Sequence, residues 1–398
     1  MNNTQRAWVE IDLDKIAQNV KEIKKSLNPD VMLMGVVKAD AYGHGVFETA
    51  KTVLASGADA LAVAFIDEAI QLRKCGITVP LLILGNSAET SVDDLLAFDI
   101  TPAVFTFEFA KALSTRAAQL GKTAKIHIKT DTGMNRVGFP YGENITKNDE
   151  TVDKIIEISK LPNIEVEGIF SHFSTSDEAD DSYTRLQFNR FTELTEKLSA
   201  RGLNVRVKHI ANSAALARFP EMQLDMVRAG VIMYGMYPSN DVDYHGLKLL
   251  PAMTFKTRVI NIKEVESGQG ISYGRSFITD RKTKIATIAV GYADGYSRIL
   301  SGNAQALVDG CLVNQLGRIC MDQCMIDVTN VNNINIGDEV TLFGTSGEGS
   351  ISIEEVAGKM GTINYEIACI VGKRIPRIYI KDGKPAGSIN YLLGGSDQ

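Results

Sequence analysis

Eight short apolar runs, rich in β-branched residues, constrain this chain most. They lie at 32–38, 60–65, 79–85, 102–106, 124–130, 165–172, 205–211 and 226–234, and helix-like stretches separate most of them. Apolar runs without alternation mark strands buried on both faces. Strands alternating with helices mark parallel βαβ units. Ahead of the first run, Ile16, Val20, Ile23 and Leu27 repeat at helical spacing, with Asp12 or Asp14 placed to cap that helix. Eight βα units in about 230 residues match a TIM barrel, (β/α)8. An open doubly wound sheet is the competing arrangement.

After Pro238 the rhythm changes. Residues 239–248 read as a linker, and from 252 to 344 strand follows strand between Gly- and Asn-rich turns. One helix interrupts them at 352–360, with Ser352 and Glu355 in a capping-box pattern. The fold class is therefore α/β, a (β/α)8 TIM barrel followed by a mostly β C-terminal domain. The chain from Asp382 onward reads as loosely ordered.

Composition narrows the function. A net charge of -6 argues against a nucleic-acid surface. Five cysteines in 398 residues are too few for a disulfide scaffold and point to a reducing compartment. The N-terminal stretch lacks the apolar core of a secretory signal, and no apolar run reaches the ~18 residues of a membrane span. The expectation is a soluble, cytoplasmic, two-domain protein without membrane partners.

A TIM barrel carries its chemistry at the C-terminal ends of its strands. Those ends hold Lys38, then Lys129 followed by Arg136, His172, Asn212 with Ser213, and Arg228 with Gly230. Lys38 follows a core-bound Met-Gly-Val-Val, where a charged amine is costly to bury. Desolvation lowers its pKa, which suits a Schiff-base lysine. A lysine that merely snorkels to water remains the alternative. Barrels commonly bind phosphate near their last two strands, which favours Ser213 and Gly230. Cys320 and Cys324 lack the partners of a zinc set and read as strand residues, so no metal is expected. His127, His209 and His245 carry no signal of their own, and the glycine cluster at 344–349 is a turn and not a P-loop.

The run VVKADAYGHG resembles the pyridoxal-phosphate attachment motif of alanine racemases. The similarity continues through DTGMNRVGF, GIFSHFSTSDEAD, ANSAAL, VRAGVIMYG, ISYGRSF, VGYADGYSR and GRICMDQCMIDVT, from Trp8 to about Tyr379 and in the family's order. One departure is Ala229, where the family commonly has proline, a change in loop stiffness and not in chemistry. The resemblance implies pyridoxal 5'-phosphate as cofactor and interconversion of L- and D-alanine, which in bacteria feeds peptidoglycan synthesis. It implies Lys38 as the cofactor lysine and base for D-alanine, and Tyr273 as the base for L-alanine. His172 and Arg228 would lower the tyrosine's pKa, and Arg228 would face the pyridine nitrogen with His172 bonded to it. Tyr42, Asn212, Ser213, the Gly230 and Val231 amides and Tyr365 would hold the cofactor, with Tyr365 also limiting the pocket. Arg136 and the Met321 amide would meet the substrate carboxylate. Lys129, carbamylated in many family members, would hold Arg136, a lysine paired with Asp131 being the alternative. Tyr292 and Asp322 would support the site from behind.

By the same resemblance the domains are 12–243, the cofactor-binding barrel, and 1–11 with 244–385, a β-rich domain completing the partner's site in a homodimer. Residues 386–398 form a tail. A racemase of serine or of broad specificity is the nearest rival. A decarboxylase on the same architecture, or a cofactor carrier without catalysis, accounts less well for Tyr273 and Met321.

Overall fold

The computed structural model of the chain describes residues 6–397. Residues 1–5 of the expected 1–11 segment, and residue 398 of the expected tail, lie outside the described residues. The chain divides into two compact units. One comprises Ile16–Ala41 and Val46–Leu250, and the other comprises the chain up to Lys15, Tyr42–Gly45 and everything from Pro251.

The first unit is a parallel barrel. Its strands run in the spatial order Met226–Ala229, Met32–Val36, Ala60–Val63, Leu81–Ile83, Thr101–Val104, Ala124–Asp131, Ile164–Phe170 and Val207–His209. Each of the eight apolar runs supplies one of them. The ring is drawn together where Arg228 N donates to Ala211 O at 3.0 Å and Asp225 N to Lys208 O at 3.2 Å. This closure separates the barrel from an open sheet. Strand residues such as Leu33, Leu61, Ile83, Val104, Ile126 and Ile169 have essentially no exposure. Each apolar side chain so buried contributes about 1.5–3 kcal/mol. The helix Leu13–Lys25 turns Ile16, Val20 and Ile23 inward, and Asp12 Oδ1 caps it by accepting from Lys15 N at 3.0 Å. Asp14 is engaged elsewhere, accepting from Asp382 N at 2.6 Å.

The second unit is built on one largely antiparallel sheet. Its long strand Met253–Val265 pairs with Ala7–Asp12, Thr283–Ile288 and Glu339–Ser346. Ala7–Asp12 runs parallel to Arg377–Lys381, so the first described strand lies between Met253–Val265 and Arg377–Lys381. The helix Ile353–Met360 has the expected capping box, Ser352 Oγ accepting from Glu355 N and Glu355 Oε2 from Ser352 N.

Two expectations are corrected here. Of the residues expected as a tail from 386, those up to Asn390 lie in a strand, Lys384–Asn390, paired antiparallel with Arg377–Lys381, and Gly395–Asp397 pairs with that strand in turn. Asp382 and Gly383 both have positive φ and form a two-residue hairpin turn, for which Asp-Gly is a strong signal. Proline, glycine and serine in Pro-Ala-Gly-Ser masked the strand that follows. A second helix, Asn364–Ile370, also interrupts the sheet domain, and it carries Tyr365. Its seven residues show too little periodicity to read. Asn364, buried, ties it to the preceding helix by donating to Glu354 Oε1 at 2.9 Å. Among the described residues no helix is long and apolar enough to cross a membrane.

Candidate active site

The barrel unit brings together Lys38, Lys129, Arg136, His172, Asn212, Ser213, Arg228, Gly230 and Val231 at the ends of its strands. Immediately after Lys38 the backbone turns left-handed. Ala39, Asp40, Ala41 and Tyr42 have φ of 53, 55, 54 and 54°. Such a conformation costs L-residues roughly 1–2 kcal/mol each, and strain of this kind gathers at functional sites. The turn is held by Ala41 N donating to Val37 O (2.9 Å), Ala39 N to Glu68 Oε1 (2.6 Å) and Val46 N to Asp40 Oδ1 (2.8 Å). Lys38 therefore leaves the core strand into a turn with a fixed path.

Arg228 lies on the last strand and is buried. Its Nη1 donates to His209 Nδ1 at 2.7 Å, and its Nη2 faces Ser171 O, Ile210 O and His172 Nδ1 at 2.9, 3.0 and 3.1 Å. No carboxylate pairs with it among the described residues. A guanidinium has five N–H donors, so the Nε hydrogen and one on Nη1 remain for another acceptor. Burial pulls Arg228 down to about 9, with Arg136 adding to the effect, and it stays charged near neutrality. Desolvation, then Arg228, Arg136, Lys129 and Lys38, hold His172 well below the usual imidazole range. Accepting from Arg228 at Nδ1, His172 keeps its proton on Nε2 and can donate it outward.

Lys129 is buried and donates to Thr130 O at 2.5 Å. Burial lowers it to about 7, against the opposing pull of Asp131. The pairing with Asp131 does not form. That carboxylate accepts instead from the amides of Gly133, Asn135 and Arg136, and so shapes the loop that carries Arg136. Asn212 Oδ1 caps the helix Ser213–Arg218 by accepting from Ala215 N, and Ser213 Oγ accepts from Gly230 N at 2.8 Å. The last two βα connections are thus tied together, where a barrel binds phosphate.

The second unit holds Tyr42, Tyr273, Tyr292, Met321, Asp322 and Tyr365. Tyr42 and Tyr365 rings sit 6.2 Å apart between centroids, and burial raises the Tyr42 hydroxyl well above its ordinary range. Tyr273 is 70% exposed and Met321 52% exposed, high for side chains of this size. Met321 is held from behind. Ala293 N donates to its carbonyl, and Tyr292 N donates to Cys320 O, each at 3.0 Å. A side chain at Gly291 would meet Cys320 O at 2.2 Å and Met321 O at 2.4 Å, so only glycine permits this approach.

Several residues that organise the two clusters gave no signal in the sequence. His209 and His127 carry no motif of their own, yet both lie on barrel strands and the first is bonded to Arg228. Asp294, without exposure, takes both Arg6 nitrogens (2.8 and 2.5 Å) and accepts from Gly291 N. Arg374 stands 3.6 Å from Asp294 and bonds Asp322 at 2.7 Å, which links the Tyr292 and Met321 loops. Arg6 and Asp294 are separated by 288 positions and nothing local joins them.

Residues 11–238 match the family described as alanine racemase, N-terminal domain, and residues 252–379 the alanine racemase C-terminal domain. The chain is 48% identical to an alanine racemase of Clostridium perfringens over 385 residues, 97% of this chain and 98% of that one. It resembles the solved alanine racemase of Clostridium difficile 630 with a TM-score of 0.92 and 43% identity, over 98% of this chain and 100% of that one. A histidine racemase from Leuconostoc mesenteroides is also similar, with a TM-score of 0.86 and 29% identity, over 95% of this chain and 99% of that one.

Proposed function

This chain belongs to the alanine racemase family, and from that premise we propose how its residues divide the work of interconverting L- and D-alanine. The cofactor of the family is pyridoxal 5'-phosphate, and when bound it supplies the electron sink that makes the α-hydrogen of alanine acidic. The observation that carries the assignment is Arg228. A buried guanidinium with no carboxylate partner, and two donors to spare, fits an electron-rich ring nitrogen. An arginine holds its proton, so the nitrogen it faces stays unprotonated and side reactions at other carbons are disfavoured.

Racemisation needs one base on each face of the α-carbon. Lys38 Nζ serves the D-alanine face. Tyr273 of the partner subunit serves the L-alanine face, and His172 supplies it with an Nε2–H donor. Ser213, the Gly230 and Val231 amides, Tyr42 and Tyr365 hold the phosphate, and Asn212 fixes the turn that presents Ser213. Arg136 and the Met321 amide receive the substrate carboxylate, with Tyr292 and Asp322 behind them. An amine with a pKa of about 7 is largely neutral above that pH and so open to CO2. A carbamate on Lys129 turns a repulsive neighbour of Arg136 into an attractive one. The protein acts in the cytoplasm as a homodimer and, in a bacterium, supplies D-alanine for peptidoglycan.

The test is a chiral product assay across L-amino acids, with Lys38→Ala as control. Alanine should turn over fastest and the variant should be inactive in both directions. Faster turnover of serine or histidine would reassign the substrate, and an active Lys38→Ala would remove the lysine from its role.

A further inference from the structure

The contacts behind Arg228 continue across the neighbouring strands Val207–His209, Ile164–Phe170 and Ala124–Asp131. His209 Nδ1 accepts from Arg228 at 2.7 Å. An arginine only donates, so His209 must present a lone pair there and carry its proton on Nε2. That Nε2 lies 2.9 Å from His127 Nδ1, which must therefore accept in turn. His127 is left with its proton on Nε2, facing Glu167 Oε2 at 3.5 Å. The donors all point one way, from guanidinium to carboxylate. Any reversal would set two N–H groups against each other, in a core where an unmade bond costs about 1–3 kcal/mol.

Several independent features show that this path is built into the barrel. The ladder between Ala124–Asp131 and Ile164–Phe170 shifts register between Ile126 and His127, pairing Ile126 with Val166 and His127 with Gly168. Glu167 is the extra residue, and bulges of this kind re-aim a side chain. At Gly168, a Cβ would lie 2.5 Å from the His127 ring, so glycine makes the room for it. Phe170 stacks flat on His209 at 4.8 Å and 6°, which fixes the plane of that ring. Beyond Glu167 lie Lys125 at 3.2 Å and Arg206 at 2.5 Å, and His127, then Lys125, hold its carboxyl down at about 2.

We propose that Glu167, acting through His127 and His209, is a positioning residue for racemisation, because it fixes the lone pair on which Arg228 is seated. This rests on the reading of Arg228 given above. When the carboxylate is lost, the order is held from the Arg228 end alone, and the His127 Nε2 proton loses its anionic neighbour. Both tautomers then populate, and in the wrong one His209 turns an N–H against Arg228.

The experiment uses the intact enzyme labelled with 15N in histidine, with and without pyridoxal phosphate, in the wild type, Glu167→Gln and Glu167→Met. Long-range 1H–15N correlation spectra of the imidazoles report tautomers directly. The wild type should show His127 and His209 as single Nε2–H forms in both states. Glu167→Met should show mixed tautomers and about a tenfold lower kcat at little changed KM, with Glu167→Gln between the two. Unmixed tautomers in the Met variant overturn the proposal, and so do mixed tautomers with wild-type kcat, since the contact would then be structural only. Where the Met variant does not fold, the Gln variant decides by the same two criteria. Arg228→Lys separates the premises. Full activity there overturns the role of Arg228 itself, whereas lost activity there with an inert Glu167 overturns only the present proposal.

Discussion

Arg228 and the imidazoles around it set the chemistry at the scale of single residues. A guanidinium keeps its proton, and a carboxylate in its place would favour a protonated ring nitrogen by simple charge attraction. Arg228→Glu is therefore expected to slow racemisation by at least about tenfold and to raise transamination. Chiral analysis beside a pyruvate assay checks this, and unchanged partitioning would remove Arg228 from its role. The same burial has a consequence for stability. His209 is fully buried and His172 desolvated, and both are held well below their ordinary values in the folded protein. The unfolded chain then binds more protons as the pH falls past the usual imidazole pKa, so stability is full above about 6.5 and falls below it. From pH 7 to 5.5 His209 alone should remove about 1 kcal/mol. Thermal unfolding at the two pH values checks this. His209→Asn should shrink the difference by about that amount, and a flat wild-type profile would contradict it.

Among the elements, the left-handed turn after Lys38 departs furthest from ordinary backbone. Four consecutive L-residues with positive φ are held by the surrounding hydrogen bonds and not by their own preference. Ala39 is exposed, so its side chain contributes little packing. Ala39→Gly should leave stability unchanged or raise it, because glycine enters this region freely. Ala39→Val should lower stability by at least about 1 kcal/mol, since β-branched residues suit it least. Denaturant midpoints of the two variants provide the comparison. Equal midpoints would show that the turn stores no strain. In the second unit, the Asp294 cluster performs the equivalent task for the Tyr292 and Met321 loops, by ion pairs instead of backbone geometry.

For the whole molecule, Lys38 and Tyr273 belong to different units of the same chain. Exposure of Tyr273 and Met321 fits side chains that await a partner. A two-fold dimer makes any exchange of residues reciprocal. Inactive Lys38→Ala subunits mixed with inactive Tyr273→Phe subunits should then regain activity. In each mixed dimer one site carries both lesions and the other neither. With random pairing about a quarter of all sites become intact. Activity that stays at the level of the two parents, once exchange is verified, would return both bases to one chain.

The eight barrel strands, the capping box at Ser352 and the strand-end residues Lys38, Lys129, His172, Ser213 and Arg228 were legible in the sequence. Periodicity and capping are local, and a strand ends where its apolar run ends. The hairpin after Lys381 was legible in its Asp-Gly turn but hidden by weak strand residues. What the tertiary structure alone decided is which groups face one another. Arg228 meets His209, His209 meets His127, and a bulge turns Glu167 toward that imidazole. Arg6 closes on Asp294 from the other end of the chain. Those contacts depend on register between strands distant in sequence, and a single inserted residue re-aims a side chain. Hydrogen bonds have direction and short reach, so local preference supplies the donors and acceptors, and only the closed barrel and the paired sheet bring them within reach of one another.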